Sequence, residues 1–269
     1  MRWWAALVVA VASLAATGAA GAVGPWPGLA ATVSSADHSV RYTASRANGG
    51  TTIRAISHGA VTAQLHVDGT WGIPAVTSVG LAGGLSPDGR LLVLAEPPTY
   101  QGLRAQSSFL IVDAPKLAVR DTITLPGEFG FDAISPDRHT LYVIEHRNTS
   151  DLVQYVVRAY DLVRGALVRG AIVAKGESET MRGYPVSRAT SNTGAWVYTL
   201  YNRQNGKPFI HALNTSGRRA VCIDLRWSAP FGTMWEARLA LSPDGRKLLV
   251  RSGGAVVSRV DTRSFRVSL

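Results

Sequence analysis

The sequence predicts an all-β protein assembled from about five copies of one four-stranded antiparallel unit. Four similar segments align on Ser86, Ser135, Ser191 and Ser242, which are 49, 56 and 51 residues apart. Each aligned serine is followed by β-rich runs that turn residues separate, and no long helical pattern occurs along the chain. A period near 50 residues with β-type units is typical of a β-propeller.

Each aligned segment begins with a hairpin turn. The clearest copies read "SPDGRLLVL" from Ser86, "SPDRHTLYV" from Ser135 and "SPDGRKLLV" from Ser242. In these turns proline presets φ, aspartate bonds back to the backbone, and glycine tolerates a positive φ. The apolar run that follows, such as residues 91–94, completes a strand–turn–strand hairpin.

A third and a fourth strand follow each hairpin. The third reads "FLIVDAP", "VRAYDLV", "IHALNTS" and "SRVDTRS" in the four copies, and it ends near Asp113, Asp161, Asn214 and Asp261. The fourth reads "LAVRDTITL", "ALVRGAIVA", "RAVCIDL" and "FRVSL". Four antiparallel strands per repeat define a propeller blade.

A degenerate blade precedes the four clear ones. The segment "IRAISHGAVTAQLHV" at 53–67 parallels "VRAYDLVRGALVRGAIV" at 157–173. Before it, "SVRYTAS" is expected as a second strand and "LAATVSS" as a weak first strand. We therefore predict a propeller domain of about five blades at residues 39–269, with an N-terminal linker at residues 23–38.

The three "SPD" segments, each followed by a strand of the form V-x-D, resemble WD40-like and YVTN-type β-propeller repeats of secreted and periplasmic bacterial proteins. The similarity covers roughly residues 80–269, and the Gly-His and Trp-Asp signatures of true WD40 repeats are absent. The resemblance implies a β-propeller and an extracytoplasmic location. It leaves the activity open, because propellers host many functions.

Residues 1–22 predict a secretory signal peptide. A positive charge at Arg2 precedes an apolar run that ends in Ala20-Gly21-Ala22, a cleavage-like sequence. The alternative is an uncleaved N-terminal anchor, because an apolar run of about 20 residues approaches the length that spans a bilayer. We expect a secreted or cell-envelope protein, with no transmembrane span after cleavage of the signal.

Composition limits the classes of function. Hydrophobic residues make up 46% of the chain, which is enough for a sizeable core, and the net charge is +10. The basic residues are scattered, which favours a solvated arginine-rich surface over a specific nucleic-acid site. A patch that attracts anionic polymers or membrane surfaces is the alternative. The single Cys222 cannot form an internal disulfide or a cysteine-rich zinc site.

The repeat alignment also locates a candidate site. Ten residues after the aligned serines, the second strands end at Glu96, Glu145 and Tyr201, which are expected around one rim, with His146 next in sequence. Three residues before two of the serines, Asp132 and Arg188 predict an ion pair at the channel mouth. A loop before the fourth blade adds Arg182. The candidate ligand-binding residues are Glu96, Asp132, Glu145, His146, Arg182, Arg188 and Tyr201.

Each candidate also has a structural interpretation. Asp132 and Arg188 are compatible with a buried pair that only fills the channel, and Glu96 and Glu145 with solvated strand ends. The histidines form no metal-binding motif, and His211 in "FIHAL" is interpreted as a core residue. No nucleophile elbow, P-loop or H-E-x-x-H motif occurs. We expect no metal, no cofactor and no catalytic residue.

Three hypotheses about function remain. The leading one is a secreted or envelope binding propeller without catalytic activity, whose partner is a protein, an envelope polymer or a small ligand at the rim. The second is an enzyme of the propeller lactonase or lyase type, which would use the acidic residues and His146 at the channel mouth. The third is a structural envelope protein whose degenerate first blade a partner chain completes.

Overall fold

The computed structural model describes residues 27–99, 102–151, 153–174, 180–203 and 206–269. Its regular structure in these ranges consists of short strands and one 3₁₀ helix at Thr233–Glu236. No helix in the described part of the chain is long and apolar enough to cross a membrane. The predicted signal peptide lies outside the described residues and stays a prediction.

The first blade is complete within this chain. A short strand β1 (Leu29–Ala30) precedes it, and its four strands are β2 (Thr32–Ser34), β3 (Arg41–Ala47), β4 (Gly50–Ser57) and β5 (Ala60–Asp68). Both β1 and β2 lie within residues 23–38, the expected linker, and fall in "LAATVSS", the segment expected as a weak first strand. The idea that a partner chain must complete this blade is not supported.

The second blade has an irregular inner edge. Strand β6 (Ile73–Pro74) pairs with β1, and the regular strands are β7 (Leu91–Ala95), β8 (Gln106–Asp113) and β9 (Ala118–Pro126). Residues 82–86 take the place of a first strand and meet β7 at one isolated bridge, between Leu85 and Leu92. Gly84 has a φ of 87°, and a Cβ there would collide with the carbonyl oxygen of Val93. Glycine is therefore required by the close approach of backbone at the axis.

The third blade has a broken outer edge. Its strands are β10 (Glu128–Ile134), β11 (Thr140–His146), β12 (Gln154–Asp161), β13 (Ala166–Leu167) and β14 (Met181–Arg182). Both β13 and β14 pair with β12, and Ile172 forms a single bridge to Val157 between them. The sequence predicted one continuous fourth strand at 166–174, whereas the structure assembles this edge from separate pieces.

The last two blades are regular four-stranded meanders. Blade 4 consists of β15 (Tyr184–Thr190), β16 (Trp196–Asn202), β17 (Phe209–Asn214) and β18 (Arg219–Asp224). Blade 5 consists of β19 (Arg238–Leu241), β20 (Lys247–Ser252), β21 (Ala255–Asp261) and β22 (Val267–Ser268). The predicted fold, an all-β propeller of about five antiparallel blades, is confirmed.

The repeated serine fastens the hairpin between the first and second strands of a blade. The hydroxyl of Ser135 accepts a hydrogen bond from the backbone N–H of Thr140 at 2.9 Å and donates to Asp137 Oδ1 at 2.5 Å. Ser86 and Ser242 make the same contacts within their own turns. The recurring "SPD" sequence is therefore structural, as the hairpin interpretation predicted.

Apolar clusters join consecutive blades. The interface of blades 1 and 2 contains Ile53 and Leu92, and that of blades 2 and 3 contains Leu91 and Phe131. Tyr142 and Phe209 meet between blades 3 and 4, and the fourth cluster joins blades 4 and 5. Among the described residues, no such cluster, hydrogen bond or ion pair joins blade 5 to blade 1. The far faces of these two blades are therefore end faces of the blade array.

Candidate ligand site at the channel mouth

Blades 2, 3 and 4 converge on one pocket, here called the mouth pocket, of about 690 Å³ including the space open to solvent. A second cavity of about 1120 Å³ lies toward the hairpin turns that Ser86 and Ser191 begin. Five of the seven sequence-predicted residues line the mouth pocket. They are Glu96, Asp132, His146, Arg188 and Tyr201.

Asp132 and Arg188 form a buried ion pair where the two cavities meet. They lie on the first strands of blades 3 and 4, their side chains are 3% and 9% exposed, and both residues line both cavities. Arg188 Nη1 also donates to the backbone oxygen of Asp132 at 2.5 Å, and its Nε donates to Thr199 Oγ1 at 3.0 Å. The ion pair that the alignment predicted is thus present, and the contacts of Arg188 all lie within the channel wall.

A second ion pair lies in the wall of the same pocket. Arg104 and Glu128 meet with Nη2 at 2.6 Å from Oε1 and Nε at 2.9 Å from Oε2, and the backbone N–H of Arg104 also donates to Oε2 at 2.9 Å. The Glu128 side chain is 2% exposed. Arg104 comes from the long loop between the second and third strands of blade 2. The repeats have no counterpart there, so the alignment did not point to it.

Glu96 is the pocket carboxylate without a guanidinium partner among the described residues. Its Oε2 accepts a hydrogen bond from the backbone N–H of Ser108 at 3.1 Å. Three carboxylates therefore line the pocket, on Glu96, Glu128 and Asp132, against two guanidinium groups, on Arg104 and Arg188. Leaving His146 neutral, the pocket carries one excess negative charge within a chain whose net charge is +10.

Stacked aromatic rings form the wall on the side of blades 3 and 4. The ring centroids of Tyr155 and Tyr201 are 5.1 Å apart, and burial raises the pKa of both phenols above their usual range. The Tyr155 hydroxyl is fully buried, and the phenol of Tyr201 is the polar group beside it. Sequence analysis missed Tyr155 because it lies on a third strand, whose residues the alignment treated as core. His146, with Nδ1 3.1 Å from the backbone oxygen of Gln154, stands beside it.

Glu145 and Arg182 do not line the mouth pocket. Glu145 Oε2 lies 2.6 Å from Arg147 Nη2 and 2.7 Å from Arg158 Nη1, beside a separate small pocket. Arg182 belongs to β14 at the outer part of blade 3 and pairs with Asp151. The structure therefore does not bring these two side chains together with the other five in the mouth pocket.

The remaining polar candidates are structural. His211 is buried within blade 4, burial lowers its pKa to about 4, and its Nε2 has no hydrogen-bond partner. His66 is exposed on blade 1, with Nδ1 3.3 Å from Thr52 Oγ1. Cys222 is partly buried on β18, opposite His211. Within the described ranges, no three His, Cys, Asp or Glu residues group closely enough to hold a metal ion.

Comparison with solved structures supports the fold. No protein-family model matches the chain, and no curated protein matches its sequence. A functionally unknown protein from Desulfotomaculum acetoxidans aligns over 90% of this chain and 68% of its own, with 15% identity and a TM-score of 0.55. The β-propeller domain of Cps50 (Swd1) from Myceliophteria thermophila aligns over 90% and 71%, with 12% identity and a TM-score of 0.51. At these identities the likeness establishes a β-propeller and nothing about the ligand.

Proposed function

We propose that this protein is an extracytoplasmic binding propeller that holds a ligand with a cationic, hydrogen-bonding group in the mouth pocket. The observation that carries the proposal is the excess of carboxylates over guanidinium groups in the pocket. Glu96 contributes a carboxylate that has no guanidinium partner among the described residues and accepts the backbone N–H of Ser108. Because the pocket carries one more carboxylate than guanidinium groups, a cationic ligand group balances its charge.

The apolar part of the wall suits the same ligand class. Phe129, Phe131 and Tyr201 line the pocket beside Tyr155. Aromatic faces attract ammonium and guanidinium groups, and pockets typically combine such surfaces with few polar groups. A free anion is a poorer match, because Arg104 and Arg188 are each already held by a carboxylate.

The same contacts favour binding over catalysis. Glu128 and Asp132 are each engaged by a guanidinium group, so neither carboxylate is free to take a proton from a substrate. The alternative of a lactonase- or lyase-type enzyme combined Glu145 with the other acids at the mouth. That combination is lost, because Glu145 is held by Arg147 and Arg158 outside the pocket. The extracytoplasmic location depends on the predicted signal peptide at residues 1–22.

The test compares three short peptides that differ in one side chain. The purified protein is titrated by calorimetry with acetyl-Gly-Lys-Gly-amide, with the same peptide carrying acetyl-lysine, and with acetyl-Gly-Glu-Gly-amide. We expect the lysine peptide to bind at least tenfold more tightly than the other two. Glu96→Gln should remove this preference, whereas Glu236→Gln, at an exposed glutamate of the 3₁₀ helix, should retain it. Equal binding of the three peptides, or an unchanged preference in Glu96→Gln, would overturn the proposal.

A further inference from the structure

Four cations share the face of blade 5 that points away from blade 4. They are Arg238, Lys247, Arg251 and Arg259, with Asp261 opposite Lys247, and Ala240 and Leu249 lie among them. We call this set the end face of blade 5. Arg238, Lys247 and Arg251 are exposed, and Leu249 is half-buried. Charges that look scattered along the sequence are thus collected on one surface by the alternation of side chains along each strand.

The other face of the same strands packs against blade 4, which leaves the end face of blade 5 pointing outward. Leu248, Val250 and Val260 are fully buried against blade 4. Because successive side chains of a strand point to opposite faces, the residues between them point outward. No ion pair engages any of the four cations among the described residues.

Two of the cations oppose each other directly. Arg238 and Arg251 are cross-strand partners in the β19–β20 ladder. Like charges in such positions destabilise a sheet. The guanidinium of Arg238 donates to the backbone oxygens of Trp235 and Ala237 at 2.9 Å, contacts that leave its charge unbalanced. An anion bound between the two arginines would remove this repulsion.

The other end of the array does not supply that anion. The far face of blade 1 carries Arg41 and Arg54, which lie on the side opposite the cluster with blade 2. A head-to-tail contact with a second copy would therefore bring two basic faces together. The occupant must be a different molecule with negative charge.

The residues at the centre of the end face indicate what kind of molecule binds there. Ala240 and Leu249 are cross-strand partners and belong to none of the apolar clusters between blades. An apolar centre with arginines around it is the usual composition of a protein interface, whereas phosphate-rich polymers need only the charges. We infer that the end face of blade 5 binds an acidic protein surface whose carboxylates surround an apolar side chain. This site is separate from the mouth pocket.

The test uses two anionic probes. The peptide acetyl-Glu-Glu-Leu-Leu-Glu-Glu-amide and inorganic polyphosphate are titrated against the full protein by calorimetry. Arg238→Ser/Arg251→Ser should weaken peptide binding at least tenfold. The control Arg120→Ser/Arg169→Ser removes the same net charge from exposed positions elsewhere and should change binding less than twofold. If both double variants lost the same peptide affinity, net charge alone would explain the binding, and the inference would be overturned.

The variant Leu249→Ser distinguishes a site for an acidic protein surface from a site for a polyanion. We expect it to weaken the peptide at least fivefold and to leave polyphosphate binding unchanged, with thermal unfolding confirming that the variant is folded. Unchanged peptide binding in this variant would identify a polyanion site instead and overturn the inference. Glu96→Gln, the variant that tests the mouth pocket, should bind the acidic peptide normally, so the two proposals can fail independently.

Discussion

Arg188 on the first strand of blade 4 forms an ion pair with Asp132 on the first strand of blade 3, and both residues line both cavities. The pair adds to the apolar packing and to the Tyr142–Thr215 hydrogen bond that also join these two blades. Thr199 Oγ1 accepts a further hydrogen bond from the Arg188 guanidinium. The two charges therefore depend on each other, because neither has water as a ready substitute.

We expect Asp132→Asn to destabilise the protein by roughly 3 to 5 kcal/mol, because it leaves the Arg188 guanidinium buried without a counter-charge. Denaturant unfolding at neutral pH measures this. The double variant Asp132→Leu/Arg188→Met should lose much less, since replacing both charges by apolar groups removes the buried charge altogether. A single variant that is less than 1 kcal/mol below the wild type would show that solvent reaches the pair.

The Asp132–Arg188 pair was predictable because the aligned serines identify equivalent strand positions in neighbouring blades. Counting from Ser135 and Ser191 gives equivalent positions in neighbouring blades, and the first strands of neighbouring blades meet at the axis. The same count placed Glu96, Glu145 and Tyr201 at equivalent heights. Glu145 shares a strand face with Leu141 and Val143, which pack against blade 2, and Tyr201 likewise packs against the preceding blade. The count could not show that Arg147 and Arg158 hold the Glu145 carboxylate outside the mouth pocket.

The positions of Arg104 and Arg182 could not be read from the repeat, because both residues lie where it is interrupted. Arg104 lies in the segment between the second and third strands of blade 2, and the corresponding segments of blades 3 and 4 differ from it in length and sequence, so the alignment gave no equivalent position. Arg182 was expected at the entrance to blade 4, but residues 181–182 pair with the third strand of blade 3 instead. Backbone hydrogen bonding across the broken outer edge decided this, and no local sequence pattern encodes it.

His211 should make the protein sensitive to mild acid. Burial lowers its pKa to about 4 from the usual 6.5, so its neutral form stabilises the fold above pH 6.5 and this stabilisation is lost as the pH falls toward 4. The shift corresponds to about 3 kcal/mol. We expect His211→Gln to flatten the stability profile between pH 6.5 and 4, as measured by urea unfolding. His66→Gln, at an exposed position, should retain the wild-type slope, and a steep profile in His211→Gln would exclude His211 as its cause.

Ser135→Ala and Ser191→Ala should differ in their dependence on acid. Each variant loses a hydroxyl that accepts a backbone N–H, from Thr140 or Trp196, at a cost of about 1 kcal/mol. Ser135 also donates to Asp137 and is the main cause of that carboxyl's lowered pKa. Because the pKa of this carboxyl is lowered in the folded protein, the ionised carboxylate stabilises the fold above about pH 4. This stabilisation is lost as the pH falls below that value. The deficit of Ser135→Ala should therefore shrink between pH 6 and pH 2.

The Ser191→Ala deficit should stay constant over the same range, because Asn192 and Thr193 follow Ser191 in place of proline and aspartate. Urea unfolding at the two pH values measures both variants. A constant deficit in Ser135→Ala would mean that the Asp137 hydrogen bond contributes nothing to stability, and an acid-dependent deficit in Ser191→Ala would point to a carboxylate other than Asp137.

Tyr142 should make the contact between blades 3 and 4 sensitive to alkali. Its hydroxyl donates to the backbone oxygen of Thr215 at 2.5 Å, and burial raises its pKa to about 12 from the usual 10. Because the folded pKa is raised, the phenol stabilises the fold below pH 10, and this contribution is lost as the pH rises through 12. At pH 7, Tyr142→Phe should cost about 1 to 2 kcal/mol, since the hydrogen bond is buried.

The deficit of Tyr142→Phe should then disappear on going from pH 9 to pH 12, because only the wild type still loses stability by ionising this phenol. Guanidinium unfolding at several pH values follows both proteins. Tyr184→Phe, at a half-exposed tyrosine of blade 4, is the matched control and should keep the wild-type alkaline loss. If the deficit of Tyr142→Phe were the same at pH 9 and pH 12, the phenol would be reaching solvent and the interface of blades 3 and 4 would be looser than its contacts indicate.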